Sequence, residues 1–414
     1  MKKIFTLAAV AALVLASCAK IETIERNVDE PIAFAGYAGN PLTKAGAYGE
    51  ETTTSLQTNG FGVFAYQTTG AYSASATPNF MYNTKVSTSS WTYSPIKYWP
   101  NQIQAGNTDS QPATAFQADK VSFFAYAPHV AATASTGAVT GGTDEGITAL
   151  TSNATAGDPK VTYKVSADLD KQVDLLWAVS KGETWTNVAG TTNTPTSGMP
   201  YLNLQKPAIG TAIHFYFKHA LAQITLTAQA AYNQAAAGGT AQDGVKITIK
   251  QVELSVPGMT QTAVLNLNNT TADTPLWESA SGSTNLALTV SGSNINSALL
   301  DGGDVAPASQ PAGVTAAVQP VIVNGKYYTV IPTATSTNVT VKVTYYVSTP
   351  DADLAKGYSR VENVISKSVS FASGFAAGTK NTINMILGIS EVVFEASVDP
   401  WVDGTSADVN LPLN

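Results

Sequence analysis

From residue 31 onward, short apolar runs alternate with turn residues almost without interruption. Pro31-Ile32-Ala33-Phe34-Ala35-Gly36-Tyr37 reads as a strand closed by Asn40-Pro41, and a loop follows through Thr43-Lys44-Ala45-Gly46. Residues 60–66 (GFGVFAY) and 121–128 (VSFFAYAP) are apolar-aromatic runs bounded by turn residues, with the tryptophan- and proline-containing segment 91–100 between them. The small, polar, glycine-rich stretch from Ala131 to Asp158 predicts a long surface loop. Leu175 to Val179 returns to strand character, and 182–200 is again loop-like.

A second β-rich half opens near Thr211. Residues 214–228 (HFYFKHALAQITLTA) alternate over most of their length, as one strand would. Residues 246–256 (KITIKQVELSV) are more informative, because their apolar positions change parity midway. Ile247 and Ile249 fall on odd positions, whereas Val252, Leu254 and Val256 fall on even ones; a β-bulge near Lys250-Gln251 restores all five to one face. Residues 339–347 (VTVKVTYYV) alternate cleanly, with the valines and Tyr345 on one face and Thr340, Lys342 and Thr344 on the other. Two further runs lie within 382–398 and a last short one within 407–413. No amphipathic helix is predicted beyond the N-terminal leader, and the alanine-rich segment 228–237 has room for one turn or two. Many short strands in two halves predict an all-β chain of two β-sandwich domains, divided near residue 206.

Composition narrows what such a chain does. Only 12% of its 414 residues are charged, against roughly 25% in ordinary soluble domains, while 44% are hydrophobic. A core can therefore be buried, and intrinsic disorder is excluded. One cysteine and three histidines rule out an internal disulfide framework and argue against a Cys/His metal centre. The net charge of −7, with no basic footprint, argues against nucleic acid as a partner. His214 and His219 are an odd number of residues apart, so on one strand they face opposite ways and cannot share a metal. Asp168, Asp170 and Asp174, like Asp301 and Asp304, lack the ligand spacing of a calcium loop and read as solvated turn carboxylates. No Gly-x-Ser-x-Gly elbow, His-Glu-x-x-His pair or Gly-Lys-Thr phosphate loop occurs. Trp99 and Trp177 lie in apolar runs and are expected in a core; Trp185, in a loop, is the candidate for an exposed ring. No catalytic residue and no cofactor follow from the sequence.

The lone cysteine sits at the end of a leader. Lys2 and Lys3 precede an apolar stretch, Ile4 to Ala16, too short to span a bilayer as a stable helix, and it ends in Leu15-Ala16-Ser17-Cys18. Small residues before a cysteine fit the cleft of a signal peptidase, and the thiol is a nucleophile for a diacylglyceryl group. The segment resembles the lipobox of bacterial lipoproteins. Residues 1–17 are then a signal peptide and Cys18 a lipidated N-terminus. Its acyl chains each anchor with about 0.8 kcal/mol per buried methylene.

Together these features resemble the fimbrillin family of Bacteroidales, the subunits of donor-strand-exchange pili. The resemblance rests on the lipobox at Cys18, the first strand Pro31–Gly39 with Thr43-Lys44-Ala45-Gly46 after it, and GFGVFAY. It continues through Trp91…Pro95-Ile96-Lys97-Tyr98-Trp99-Pro100, VSFFAYAP, Phe217-Lys218-His219-Ala220-Leu221, Tyr328-Thr329-Val330-Ile331-Pro332 and Asp399-Pro400-Trp401. These motifs follow the family order over nearly the whole chain.

The resemblance implies two transthyretin-like sandwiches, export as an outer-membrane lipoprotein, and cleavage by a trypsin-like or arginine-specific protease just beyond the first strand. The matching bond is Lys44–Ala45, with lysine where arginine is commonest; Arg26 is the runner-up. The chain then divides into a signal peptide (1–17), a lipidated tether with the first strand (18–44), an N-terminal sandwich (45–205) and a C-terminal sandwich (206–414). Loss of the first strand opens a groove for a strand from the C-terminal region of the next subunit. Copies of the chain, or other fimbrial subunits, thereby join head to tail in an open filament at the cell surface. Val392–Val398 and Ala407–Leu413 are the candidate donors. A lipid-anchored outer-membrane glycan-binding protein is the alternative, which an exposed row of aromatic rings in a cleft would favour.

Overall fold

The computed structural model describes residues 31–38, 52–73, 75–100, 119–141, 144–187, 191–207, 211–230, 246–282, 284–300, 318–323, 326–387 and 392–400. The early elements are β1 (Phe34–Ala38), helix α1 (Thr53–Asn59), β2 (Phe61–Thr68), β3 (Met81–Val86), β4 (Lys120–Ala127), β5 (Gly146–Leu150) and β6 (Lys160–Lys164). They continue as β7 (Leu176–Val179), β8 (Trp185–Thr186), β9 (Thr192–Asn193), β10 (Tyr201–Leu204) and β11 (Ile213–His219). The later strands are β12 (Ala222–Ala230), β13 (Lys246–Met259), β14 (Thr262–Asn266), β15 (Leu276–Ser281), β16 (Thr284–Ser291) and β17 (Gln319–Pro320). The last are β18 (Tyr328–Val330), β19 (Thr337–Pro350), β20 (Tyr358–Phe371), β21 (Thr379–Leu387) and β22 (Val392–Pro400). The protein is all-β, as its alternating runs predict.

The first sheet has the order β1-β11-β7-β4-β2-β3, with β10 on β4. Its central strands β2 and β4 are apolar at almost every position because both faces are covered. Phe61, Val63, Ala65 and Phe123 enter one core, whereas Phe64, Tyr66, Phe124 and Tyr126 enter another. That second core runs on without a break through Val161, Tyr163 and Leu265 to Leu226, Val252, Val343 and Ile383. Around it lie the sheets β17-β12-β21-β22 (with β18 on β12), β16-β13-β19-β20 and β15-β14-β6-β5.

The bulge in β13 falls where the change of parity puts it. Ile249 pairs with Tyr345 and Gln251 with Thr344, so Lys250 is the extra residue. Ile247, Ile249, Val252, Leu254 and Val256 are all buried against Val339, Val341, Val343, Tyr345 and Val347 of β19 or their neighbours in the same core.

Four expectations are revised. Residues 214–228 form two strands, not one: β11 ends at His219, the chain turns at Ala220-Leu221, and β12 enters another sheet. The halves also share a sheet, because β6 pairs with β14 over five residues. Within 131–158, strand β5 replaces part of the expected loop; its Ile147 and Leu150 are buried. Finally, α1 is a helix that apolar periodicity could not reveal, since it buries only Leu56. A capping box starts it: the Thr52 hydroxyl accepts from the Ser55 N–H, and the Ser55 hydroxyl accepts from the Thr52 N–H.

Candidate functional site

The first strand occupies an edge. Among the described residues β1 hydrogen-bonds a single strand, β11, and runs parallel to it, from Phe34 opposite Ile213 to Ala38 opposite Phe217. On its far side a loop rather than a strand supplies the partner groups. The Ile32 N–H donates to the Lys97 carbonyl at 2.8 Å. The Tyr93 hydroxyl donates to the Ile32 carbonyl at 2.8 Å and accepts from the Lys97 N–H at 3.2 Å. Burial raises the Tyr93 pKa above its ordinary value, which keeps the phenol protonated and able to donate. At the other end, the Thr53 hydroxyl of α1 donates to the Ala38 carbonyl at 3.0 Å and accepts from the Ala38 N–H at 3.1 Å.

Side chains alternate strictly along this segment. Ile32, Phe34, Gly36 and Ala38 point inward, while Pro31, Ala33 and Tyr37 are exposed. Ile32 and Phe34 are 1% and 4% exposed, so each fills a slot. The Phe34 ring sits among Tyr93, Phe123 and Phe215, at centroid distances of 5.3, 5.9 and 5.7 Å. Gly36 is closely covered: a Cβ there would lie 2.9 Å from the Phe61 ring, which would have to shift to admit it. On the outer face, Tyr37 stacks on its direct partner Tyr216 at 5.4 Å, and the Lys181 ammonium lies 4.1 Å from the centre of the Tyr216 ring. Burial, with the neighbouring Glu183 carboxylate, pushes the Tyr216 phenol up to about 12.

β1 is therefore a strand held in a groove walled by β11 and the Tyr93–Lys97 loop. Removing it would uncover one edge of β11 and a row of apolar slots. Sequence reasoning found the strand by its alternation. It missed the roles of Tyr93 and Thr53, since a hydroxyl that binds distant backbone leaves no local pattern. Cys18, Lys44 and Ala45 lie outside the described residues, as do Asp301, Asp304 and the candidate donor Ala407–Leu413. The other candidate donor lies in β22, the edge of its sheet, paired with β21 alone.

The remaining sequence candidates do not converge. His214 and His219 both lie on β11, and His219 Nδ1 is 2.9 Å from a carboxylate oxygen of buried Asp174. Asp168 instead caps a short 3-10 turn, and Asp170 meets Lys326. Among the described residues, no group of three or more His, Cys, Asp or Glu side chains is placed to hold a metal ion. Trp99 and Trp177 are buried, as expected. Trp185 is not the exposed ring expected of it: it is half-buried, packs on the first core, and lies 6.4 Å from Tyr201.

The all-β fold is the one that the sequence resemblance implies. The family match agrees: a model of fimbrillin-like proteins matches residues 47–401, and the chain belongs to that family of fimbrial structural subunits. It is similar to the fimbrium subunit Fim1C of Phocaeicola vulgatus, at 27% identity over 425 residues covering 97% of both chains. It also resembles the crystal structure of a fimbrial protein from Bacteroides vulgatus, with a TM-score of 0.60 at 22% identity. That alignment covers 90% of this chain and all of the other.

Proposed function

We propose that this chain is a structural subunit of a cell-surface fimbria with a part in adhesion, and that it polymerises by protease-triggered exchange of its first strand. The precursor is an outer-membrane lipoprotein held by Cys18, and a trypsin-like or arginine-specific protease cuts Lys44–Ala45. β1 then departs with residues 18–44, and a strand from another copy, or from another fimbrial subunit, takes its place. The observation that carries this reading is the seating of β1: one strand neighbour, buried Ile32 and Phe34, and partner groups from Tyr93 and Thr53 that stay with the cut chain. The family match also supports it. Because donor and acceptor surfaces differ, addition is head-to-tail and builds an open filament. Exchange of a severed strand for an intact one can run downhill without a nucleotide.

The test is Lys44→Ala, followed by mass spectrometry and electron microscopy of intact cells. An acylated, uncut chain without filaments is expected. Filaments that retain Pro31–Lys44 would overturn the reading.

A further inference from the structure

The groove beneath β1 is selective. All three rings that crowd Gly36 lie beyond Lys44–Ala45 and so remain after a cut there. A Cβ at this position would lie 2.9 Å from Phe61 Cε1 and 3.4 Å from Phe217 Cε2 and Trp91 Cη2. One added carbon forces the edge of the Phe61 ring to shift, whereas a branched side chain has nowhere to go. Two positions earlier, the slot among Tyr93, Phe123 and Phe215 takes a large apolar residue. An incoming strand must therefore carry, at alternate positions, an apolar residue, a large apolar residue and then glycine or alanine.

A donor must also be free to leave its own sheet, which favours an edge strand. Among the described edge strands other than β1 itself, the pattern occurs only in β22, as Val392, Phe394 and Ala396. β4 carries it too, as Val121, Phe123 and Ala125, but β4 is hydrogen-bonded to β2, β7 and β10.

Building on the strand-exchange reading above, we infer that Gly36 marks a size filter and that the strand it admits is β22 of a second copy, running parallel to β11. Val392 takes the place of Ile32, Phe394 of Phe34, Ala396 of Gly36 and Val398 of Ala38. The opposite direction fails, because with Phe394 in the Phe34 slot Val392 falls at the position of Gly36. The segment Ala407–Leu413 fits less well: run parallel, filling the Phe34 slot with Val409 or Leu411 brings a leucine against Phe61, and run the other way it sets Ala407 against Phe61 only with the small Val409 in the Phe34 slot.

The experiment cuts the full chain at Lys44–Ala45 in solution with labelled peptides present. The peptides span 391–400 in native form, with Ala396→Gly and with Ala396→Leu, and a fourth spans 407–413. The native and glycine peptides are expected to bind, and the leucine peptide about tenfold more weakly or worse. Phe61→Leu in the acceptor should recover the leucine peptide. If Ala396→Leu binds like the native peptide the filter is wrong, and if 407–413 binds in place of 391–400 the assignment of β22 is wrong, while strand exchange stands in both cases. If no peptide is captured, both fall.

Discussion

Phe34 and Phe215 stack diagonally across the parallel pair β1–β11, their rings 5.7 Å apart and 15° from parallel. The residue directly opposite Phe215 is Gly36, whose missing side chain makes room for the rings of Phe61, Phe217 and Trp91. One glycine thus accommodates three rings beside that stack and restricts what else can lie there. Phe34→Ala should lower the stability of the uncut precursor by about 3–5 kcal/mol, the cost of emptying a buried aromatic site. Urea unfolding of the precursor measures this. Mature filaments, which have lost β1 on the proposed pathway, should dissociate at the wild-type urea concentration.

Thr53→Val keeps the side-chain shape and removes the hydroxyl that serves both the N–H and the carbonyl of Ala38. A loss of about 1–3 kcal/mol is expected, because two part-buried backbone groups go unpaired. Hydrogen exchange at Ala38 should accelerate while β2 and β4 stay protected.

Deletions in β13 should behave in opposite ways. Without Lys250, residues 247–256 alternate regularly against β19, so the strand keeps its buried face. It forfeits only the Lys250–Glu362 ion pair and the contact with the Tyr346 ring. A change of about 1 kcal/mol is expected. Removal of Thr248 shifts the register outside the bulge and turns apolar residues to the wrong face, which should prevent folding. Circular dichroism and thermal melting of the two deletions separate the cases.

Acid should weaken the sheet that joins the two halves. Glu278 accepts hydrogen bonds from Lys160 at 2.7 Å and from Asn266 at 2.9 Å, and these partners hold its carboxyl below the usual glutamate range. A depressed carboxylate contributes stability that is complete above its unfolded pKa and is lost as pH falls through the folded one. Glu278→Gln should therefore cost about 0.2–1 kcal/mol near neutral pH. The melting difference from wild type should close as the pH drops below the ordinary glutamate value.

Strand identity was legible because burial on one face writes itself as alternation. The same arithmetic located Lys250 as a bulge, from a change of parity alone. Burial on both faces erases alternation, so the runs at 60–66 and 121–128 revealed strands without saying that they separate two cores. The turn at Ala220-Leu221 escaped because both residues are apolar and buried, with no glycine or proline to mark a break. α1 escaped because its Thr, Ser and Gln residues give it a single buried side chain. The groove was half legible: the alternation of Ile32, Phe34 and Ala38 can be read from the chain, but the hydroxyls of Tyr93 and Thr53 reach it only through folding.

The pairing of β6 with β14 has a mechanical consequence. If the polypeptide between His219 and Ala222 were the sole link between the first sheet and the later ones, tension would load a single covalent thread. Instead, Lys160–Lys164 lies side by side with Thr262–Asn266, so a pull that separates these strands must break a ladder as well as straighten a turn. Asp158 reinforces it, accepting from Tyr72 next to the first sheet and from Asn266 and Asn268 at the end of β14. A fibre built from such units would stretch less at the middle of each subunit than its connectivity suggests, and its compliance would lie at the joints between subunits.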